Sequence, residues 1–274
     1  MEHPSVAIIG AGAMGEVLAG GLVRAGWKVD DLVLAARRPE HAEAVAARTG
    51  LAVLLDAAEA AADRRVVVVA VKPGDVPVLL DRLRGVVRPA QMVLSLAAGV
   101  PTALFEEALG EIPVVRSMPN TPALIDQAIT AFCAGRFADE EAMALAELVL
   151  AAVGDTLRLD EHLLDAVTAV SGTGPAYVFL LAEALTEAAI REGLPRHAAE
   201  RLVHQTVKGA GMLMAAVEAG PEQLRAQVTS PGGTTAAAVH ILEERGFRAL
   251  LEDAVRAAAQ RSKELGERAA ANPG

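Results

Sequence analysis

Gly10, Gly12 and Gly15, with Ala11, Ala13 and Met14 between them, have the types and spacing to cradle a pyrophosphate. Gly10 permits a tight turn, Gly12 lets the backbone approach the phosphates, and Gly15 lets a following helix pack close to the preceding strand. The phosphates of a dinucleotide then rest on free N–H groups at a helix N-terminus, where the macrodipole favours negative charge. By itself the pattern also describes a glycine-rich turn with no ligand, so the flanks decide. Val6-Ala7-Ile8-Ile9 reads as a strand buried on both faces, and Leu18, Leu22 and Val23 follow on one helical face.

Further along, each short apolar run ends in residues with chemical use. Leu32-Val33-Leu34-Ala35-Ala36 runs into Arg37-Arg38-Pro39. An acidic residue near this point holds the ribose 2′-hydroxyl of NAD, whereas arginine accommodates the 2′-phosphate of NADP. Arg37 and Arg38 therefore favour NADP, with NADPH preferred and NADH the alternative, unless both are solvated loop charges. Val66-Val67-Val68-Val69 and Ala70 form a β-branched run with Val71, Lys72 and Pro73 at its carboxyl end, where open parallel sheets place ligands. Lys72 is a candidate for the cofactor ribose or phosphate. Met92-Val93-Leu94-Ser95 is followed by Leu96, Ala97, Ala98 and Gly99, mainly small residues that let a flat ring lie close to the backbone. Val114-Val115-Arg116 leads into Ser117-Met118-Pro119-Asn120-Thr121-Pro122, either a rigid connection or a direct contact to cofactor or substrate.

A second anion site is read from Val228-Thr229-Ser230-Pro231-Gly232-Gly233-Thr234-Thr235, which opens a helix running to about Arg245. Glycines and hydroxyls at a helix N-terminus suit a carboxylate, and the same pattern also describes a capped turn. No metal site is expected, because the six histidines, His3, His41, His162, His197, His204 and His240, lack ligand spacing and a paired carboxylate. They read as ordinary solvated or capped histidines. Cys133 reads as a small buried hydrophobe, Tyr177 as core packing, and Glu183 and Gln205 as buried, satisfied polar groups or residues at the mouth of a site.

The elements that must position these residues alternate. Helices are expected at 40–49 and 139–152, and strands at 51–55, 128–133 and 156–159, between the runs already named. This is the α/β pattern of an N-terminal Rossmann-like, doubly wound, mostly parallel sheet. Past about residue 160 the period becomes helical. Ser171-Gly172-Thr173-Gly174-Pro175 starts a helix carrying Val178, Leu181 and Leu185, which Gly193-Leu194-Pro195 stops. Leu202, Val203, Val207, Ala210, Leu213, Met214 and Val217 mark a second helix ended by Gly220-Pro221, and further helices reach the C-terminal region. The expected division is a dinucleotide-binding domain at 1–158 and an all-helical C-terminal substrate-binding and dimerisation domain at 159–274. Val178-Phe179-Leu180-Leu181-Ala182 is too apolar for a helix buried on one side, which predicts burial between two subunits.

Composition removes other classes. The 274 residues are 53% hydrophobic and 3% aromatic with a net charge of −10, so neither a basic stripe nor stacking platforms for nucleic acid are present. The longest uncharged run, 166–182, is 17 residues and is broken by Gly172, Gly174 and Pro175, so it is expected to fall short of a membrane span. One cysteine and no charged, apolar, cleavable N-terminal signal point to a soluble chain in a reducing cytoplasm.

Taken together and in this order, Ile9-Gly10-Ala11-Gly12-Ala13-Met14-Gly15, Ala70-Val71-Lys72-Pro73, residues 117–122, Ser171-Gly172-Thr173-Gly174-Pro175-Ala176-Tyr177 and residues 228–235 resemble the pyrroline-5-carboxylate reductase family along nearly the whole chain. The resemblance implies reduction of 1-pyrroline-5-carboxylate to L-proline with NAD(P)H, the last step of proline synthesis. It also implies a homodimer formed by interleaved helical domains, with higher assembly into a homodecamer. Carried over by residue, Ile9 to Met14 match the pyrophosphate loop and Arg38 the 2′-phosphate position. Ala70, Val71, Lys72 and Pro73, with Leu96, Ala97 and Ala98, match the ribose and nicotinamide segments. Ser230, Gly233, Thr234 and Thr235 match the substrate loop, with Gly232 beside them and Thr235 nearest the ring nitrogen. The family's frequent asparagine falls near Ala57 here, a departure that bears on cofactor affinity. A β-hydroxyacid dehydrogenase shares the two-domain plan but needs a lysine where this chain has Val178. Reduction of the isomeric pyrroline-2-carboxylate and a non-enzymatic NADP-binding regulator stay open as alternatives.

Overall fold

The computed structural model describes residues 3–271. In chain order the first half contains β1 (Val6–Ile9), α1 (Ala13–Arg24), β2 (Leu32–Ala35), α2 (Pro39–Thr49), β3 (Ala52–Leu54), α3 (Ala57–Ala61), β4 (Val66–Val69), α4 (Val76–Leu83), β5 (Met92–Ser95), α5 (Thr102–Leu109), β6 (Val114–Met118), β7 (Ala128–Ala134), α6 (Glu140–Leu150), β8 (Gly154–Arg158) and α7 (Leu164–Val167). The strands make one eight-stranded sheet in the order β3-β2-β1-β4-β5-β6-β7-β8. The six strands from β3 to β6 run parallel, while β7 is antiparallel to β6 and carries β8 parallel to itself.

Every residue of β1, β2, β4 and β5 is buried, because apolar runs without alternation can settle only where both faces are covered. Successive side chains then feed two cores. Ile8, Leu34, Val68 and Leu94 pack with Leu18 of α1, Val45 of α2 and Met143 of α6 on one face. Ile9, Val67, Val69 and Val93 pack with Ala60 of α3, Leu80 of α4 and Phe105 of α5 on the other. Each fully buried Val, Leu or Phe contributes about 1.5–3 kcal/mol against exposure. The reversal at β7 follows from the link that precedes it. The short connection between β6 and β7 is too brief for a parallel crossover, and a tight turn at Thr121–Ile125 ends in Asp126 at a positive φ of 57°.

The second half is helical: α8 (Gly174–Arg191), α9 (Arg196–Ala216), α10 (Pro221–Gln227), α11 (Thr234–Glu244) and α12 (Phe247–Ala271). No strand follows β8 among the described residues. Gly193, at φ 94°, ends α8, with Leu194 N–H returning to the Ala189 carbonyl at 3.1 Å. Gly220-Pro221, expected as the stop of α9, instead starts α10, since proline fits the first turn; α9 has already ended at Ala216, with Val217 extended.

The compact units do not coincide with the division expected at 158/159. One comprises residues up to 173 together with those from 257 onward, and the other is 174–256. Residues 1–2 and 272–274 of the expected ranges lie outside the described residues. After β8 the chain stays with the first unit because Arg116, its side chain 6% exposed, pairs with Glu161 at 3.4 Å and Asp165 at 3.2 Å. The end of α12 belongs there too. Ser262 Oγ donates to Asp165 at 2.7 Å, and Ala269 joins the core that contains Phe105.

One expectation is corrected by the backbone. Residues 166–182 do not stop short at Gly172, because a π-helical segment, Thr168–Gly172, carries the chain into α8. The continuous helical stretch Glu161–Arg191 is long and apolar enough to cross a membrane by length and composition. Only 11% of its most apolar window is buried within this chain.

Candidate functional site

The strand order reverses direction of winding at β1, which lies between β2 and β4, and such a switch point opens a crevice beyond the carboxyl ends of the strands. The Gly10 to Gly15 loop sits there. Gly10 adopts φ 112°, and a Cβ on it would lie 2.7 Å from the Ala70 carbonyl oxygen. Gly15 is as constrained, since its Cβ would stand 2.1 Å from the Gly10 carbonyl oxygen. In contrast, nothing lies within 4 Å of a Cβ on Gly12, so the backbone there faces open space. Gly12 is also the N-cap of α1 and no side chain caps that helix. Its first N–H groups are therefore free for an anion. Glu16, an acid in this first turn, is paired with Arg48 at 2.9 Å, which offsets its repulsion of a phosphate.

The other segments assigned to the cofactor meet this loop at the same sheet edge. Gly10 and Ala11 N–H groups donate to the Ala35 carbonyl at 3.0 and 3.1 Å, Ala70 N–H to Ile9 at 2.8 Å, and Leu96 N–H to Val69 at 2.9 Å. Ala11 and Ala97 are buried, so those two present only backbone. Ala13 and Lys72 are exposed, and Ile9 and Gly15 are buried. Met14, Val71, Pro73, Leu96 and Ala98 are half-buried. His41 of α2 was not singled out from the sequence, yet its Nε2 donates to the Ala11 carbonyl at 2.6 Å and fixes the loop from the side. The signal was hidden because α2 reaches β1 only through the fold.

The two arginines divide. Arg37 lies 3.1 Å from Asp75, ahead of α4, while Arg38 is the N-cap residue of α2, exposed, and makes no ion pair among the described residues. Arg37 is 79% exposed, so the pair contributes at most about 1 kcal/mol. Arg38 is thus the guanidinium left without a carboxylate among the described residues. Arg38→Ala is expected to cost roughly 1.5–3 kcal/mol, a ten- to hundredfold rise in the NADPH dissociation constant, with NADH affinity unchanged. Fluorescence titration of both nucleotides checks it, and equal weakening of both would assign Arg38 no phosphate.

Residues 117–122 spend their polar groups internally. Ser117 Oγ donates to the Ser95 carbonyl at 2.9 Å. Asn120 accepts from Ile129 N–H at 3.1 Å and donates to Ser171 Oγ at 3.2 Å. Of the two readings, the rigid connection is the one with hydrogen bonds behind it. Ala57, where the family's asparagine would fall, is buried at the start of α3, and Asp56 caps that helix through Ala58 N–H at 2.8 Å. Burial pushes the Cys133 thiol up to about 12, with Glu161 adding to the effect, so no thiolate forms near neutrality.

Residues 230–235 lie in the second unit and build a loop of their own. Gly232 has φ 68°, and a Cβ on Gly233 would overlap Ser230 Oγ at 2.3 Å. Gly233 is the N-cap of α11 and no side chain caps this helix, so the capped-turn alternative is not what forms. Ser230 and Thr234 are exposed and Thr235 is half-buried. The free N–H groups and three hydroxyls suit a carboxylate next to a second polar atom. Glu183, expected to be buried or at a site mouth, is exposed and lines a concavity of about 580 Å³ between α8 and α9 with Phe179 and His204.

A nucleotide cradle at the switch point of a doubly wound sheet, followed by a helical unit with its own glycine-opened, uncapped helix N-terminus, defines a dinucleotide-dependent oxidoreductase. Residues 5–99 match the model described as NADP oxidoreductase coenzyme F420-dependent, and residues 161–265 match the one described as Pyrroline-5-carboxylate reductase dimerisation. A pyrroline-5-carboxylate reductase of Pseudomonas aeruginosa is 43% identical over 269 residues, covering 97% of this chain and 98% of that protein. The solved reductase of Coxiella burnetii superposes with a TM-score of 0.88 at 36% identity, over 96% of this chain and 98% of that one. That of Plasmodium falciparum, solved with NADP bound, gives 0.88 at 29%, over 97% and 99%. The chain belongs to the pyrroline-5-carboxylate reductase family.

Proposed function

We propose that the chain reduces 1-pyrroline-5-carboxylate to L-proline with NADPH. The observation that carries this reading is the pair of uncapped helix N-termini opened by glycines, α1 in the first unit and α11 in the second. One suits the cofactor's pyrophosphate and the other the substrate's carboxylate. The open space at Gly12, the free start of α1 and the unpaired Arg38 fit a phosphorylated dinucleotide. In this reading residues 9–15 hold the pyrophosphate, Arg38 the 2′-phosphate with Arg37 beside it, and residues 70–73 and 96–98 line the ribose and nicotinamide.

NADPH, when bound, supplies the hydride that goes to the imine carbon. The imine nitrogen takes its proton from solvent, so the balance is one hydride and one proton for each C=N bond reduced. The protein's part is orientation and exclusion of water rather than acid–base work. This agrees with the 230–235 loop, which presents backbone N–H groups and hydroxyls and no titrating side chain. Ser230, Gly232, Gly233 and Thr234 hold the carboxylate, and the Thr235 hydroxyl hydrogen-bonds the ring nitrogen as it becomes an amine.

Thr235→Ala is expected to lower kcat/KM for pyrroline-5-carboxylate ten- to a hundredfold, roughly 1.5–3 kcal/mol for one hydrogen bond to a charged group. NADPH affinity should stay within twofold. Steady-state kinetics with a parallel NADPH titration tests it, and full activity in Thr235→Ala would overturn the assignment. The apolar faces of α8 and α9 support self-association as a homodimer, and their cover by a second copy accounts for a membrane-length helix without a membrane. Assembly of dimers into a decamer, in the cytoplasm, completes the reading.

A further inference from the structure

We propose that the last turns of α12 position residues 96–99, the loop assigned to the nicotinamide, through direct backbone contact between Gly266 and Gly99. This rests on the reading above that the loop lies against the reduced ring. Gly99 has φ 77°, and a Cβ on it would fall 2.4 Å from the Ser262 carbonyl oxygen. From the other side, a Cβ on Gly266 would fall 2.1 Å from the Gly99 carbonyl oxygen. The two backbones touch with no side chain between them, so the loop cannot move without moving the helix.

Both partners are anchored. Ser262, 2% exposed, donates to Asp165, which Arg116 holds from β6. Ala269, one turn beyond Gly266, shares a core with Ala97 and Val100. The loop is fixed at its ends as well. Ala97 N–H donates to Ser95 Oγ at 3.2 Å, and Thr102 donates to Glu161 through both N–H and Oγ1 at 2.8 Å. Glu161 in turn faces Arg116 at 3.4 Å. A loop that only joined β5 to α5 needs none of these restraints, whereas a backbone that must hold a flat ring in line for hydride transfer needs all of them. Gly266 and Gly99 are thus positioning residues, acting through the loop and touching no reacting atom.

The test compares the whole protein with Gly266→Ala, titrating NADPH and, separately, adenosine 2′,5′-bisphosphate, which carries only the adenosine end. The expected result is a dissociation constant for NADPH raised about tenfold and one for the bisphosphate within twofold. The kinetic isotope effect with 4-deuterated NADPH should rise while KM for pyrroline-5-carboxylate stays within twofold. A folded Gly266→Ala with unchanged NADPH affinity, or with both ligands weakened equally, overturns the proposal. Should Gly266→Ala fail to fold, Ser262→Ala, which deletes only a hydroxyl, is expected to show the same split at about threefold, and unaltered NADPH affinity in it overturns the proposal. An unsubstituted chain that binds both ligands but does not consume pyrroline-5-carboxylate overturns the reaction instead, and the difference between the two ligands in Gly266→Ala still decides this one.

Discussion

Gly10→Ala is expected to raise the NADPH dissociation constant about a hundredfold or more. Two costs combine. The residue sits at φ 112°, outside the regions open to alanine, which costs about 1–3 kcal/mol. Its new Cβ would press on the Ala70 carbonyl at 2.7 Å, and relief by moving backbone costs about 1–3 kcal/mol more. Both fall on the crevice between β1 and β4, so the energy appears as lost affinity as well as lost stability. NADPH titration beside a thermal melt separates the two. A folded Gly10→Ala protein that binds NADPH within threefold of the unsubstituted chain would remove this loop from the cofactor site.

Comparable in size is the effect of charge on the bare face of α8. Phe179 is 67% exposed and Leu180 65%, and Met212 of α9 and Leu250 of α12 are similarly bare. A patch this apolar is not left in water by a stable chain. Covering each such side chain contributes about 1.5–3 kcal/mol, and a buried unpaired carboxylate costs several. The double substitution Phe179→Asp, Leu180→Asp is expected to convert the protein from dimers, or multiples of dimers, to monomers or aggregates, with activity below about a hundredth. Analytical ultracentrifugation reads it. An unsubstituted chain that sediments as a monomer, or a double variant that stays dimeric, would show that α8 is not the interface.

The parts of this molecule that the sequence made legible are those with local causes. Val6 to Ile9 and Val66 to Val69 could be read as strands because their apolar runs do not alternate, and the jobs of Gly10 and Gly15 follow from one turn and one close approach. The reversal of β7 was not legible, since strand direction depends on how short the link after Met118 is and on the turn at Asp126. The same holds for the domain break. Arg116 recruits Glu161 and Asp165, and Ser262 returns from α12, across separations no local pattern spans. Within the site, Arg37 and Arg38 are indistinguishable by type; the family resemblance singles out Arg38, and the physical difference comes from Asp75, which the sheet brings alongside Arg37. His41 looked like any helix histidine until the fold set it against Ala11.

The most direct measurement is NADPH absorbance followed with the purified protein and 1-pyrroline-5-carboxylate, repeated with NADH and with a hydroxyacid in the oxidative direction. Rapid loss of NADPH that depends on the pyrroline is the expected result, with no NADPH formed from NADP and the hydroxyacid. Bound NADPH with no turnover would contradict it and leave a cofactor-binding regulator in its place.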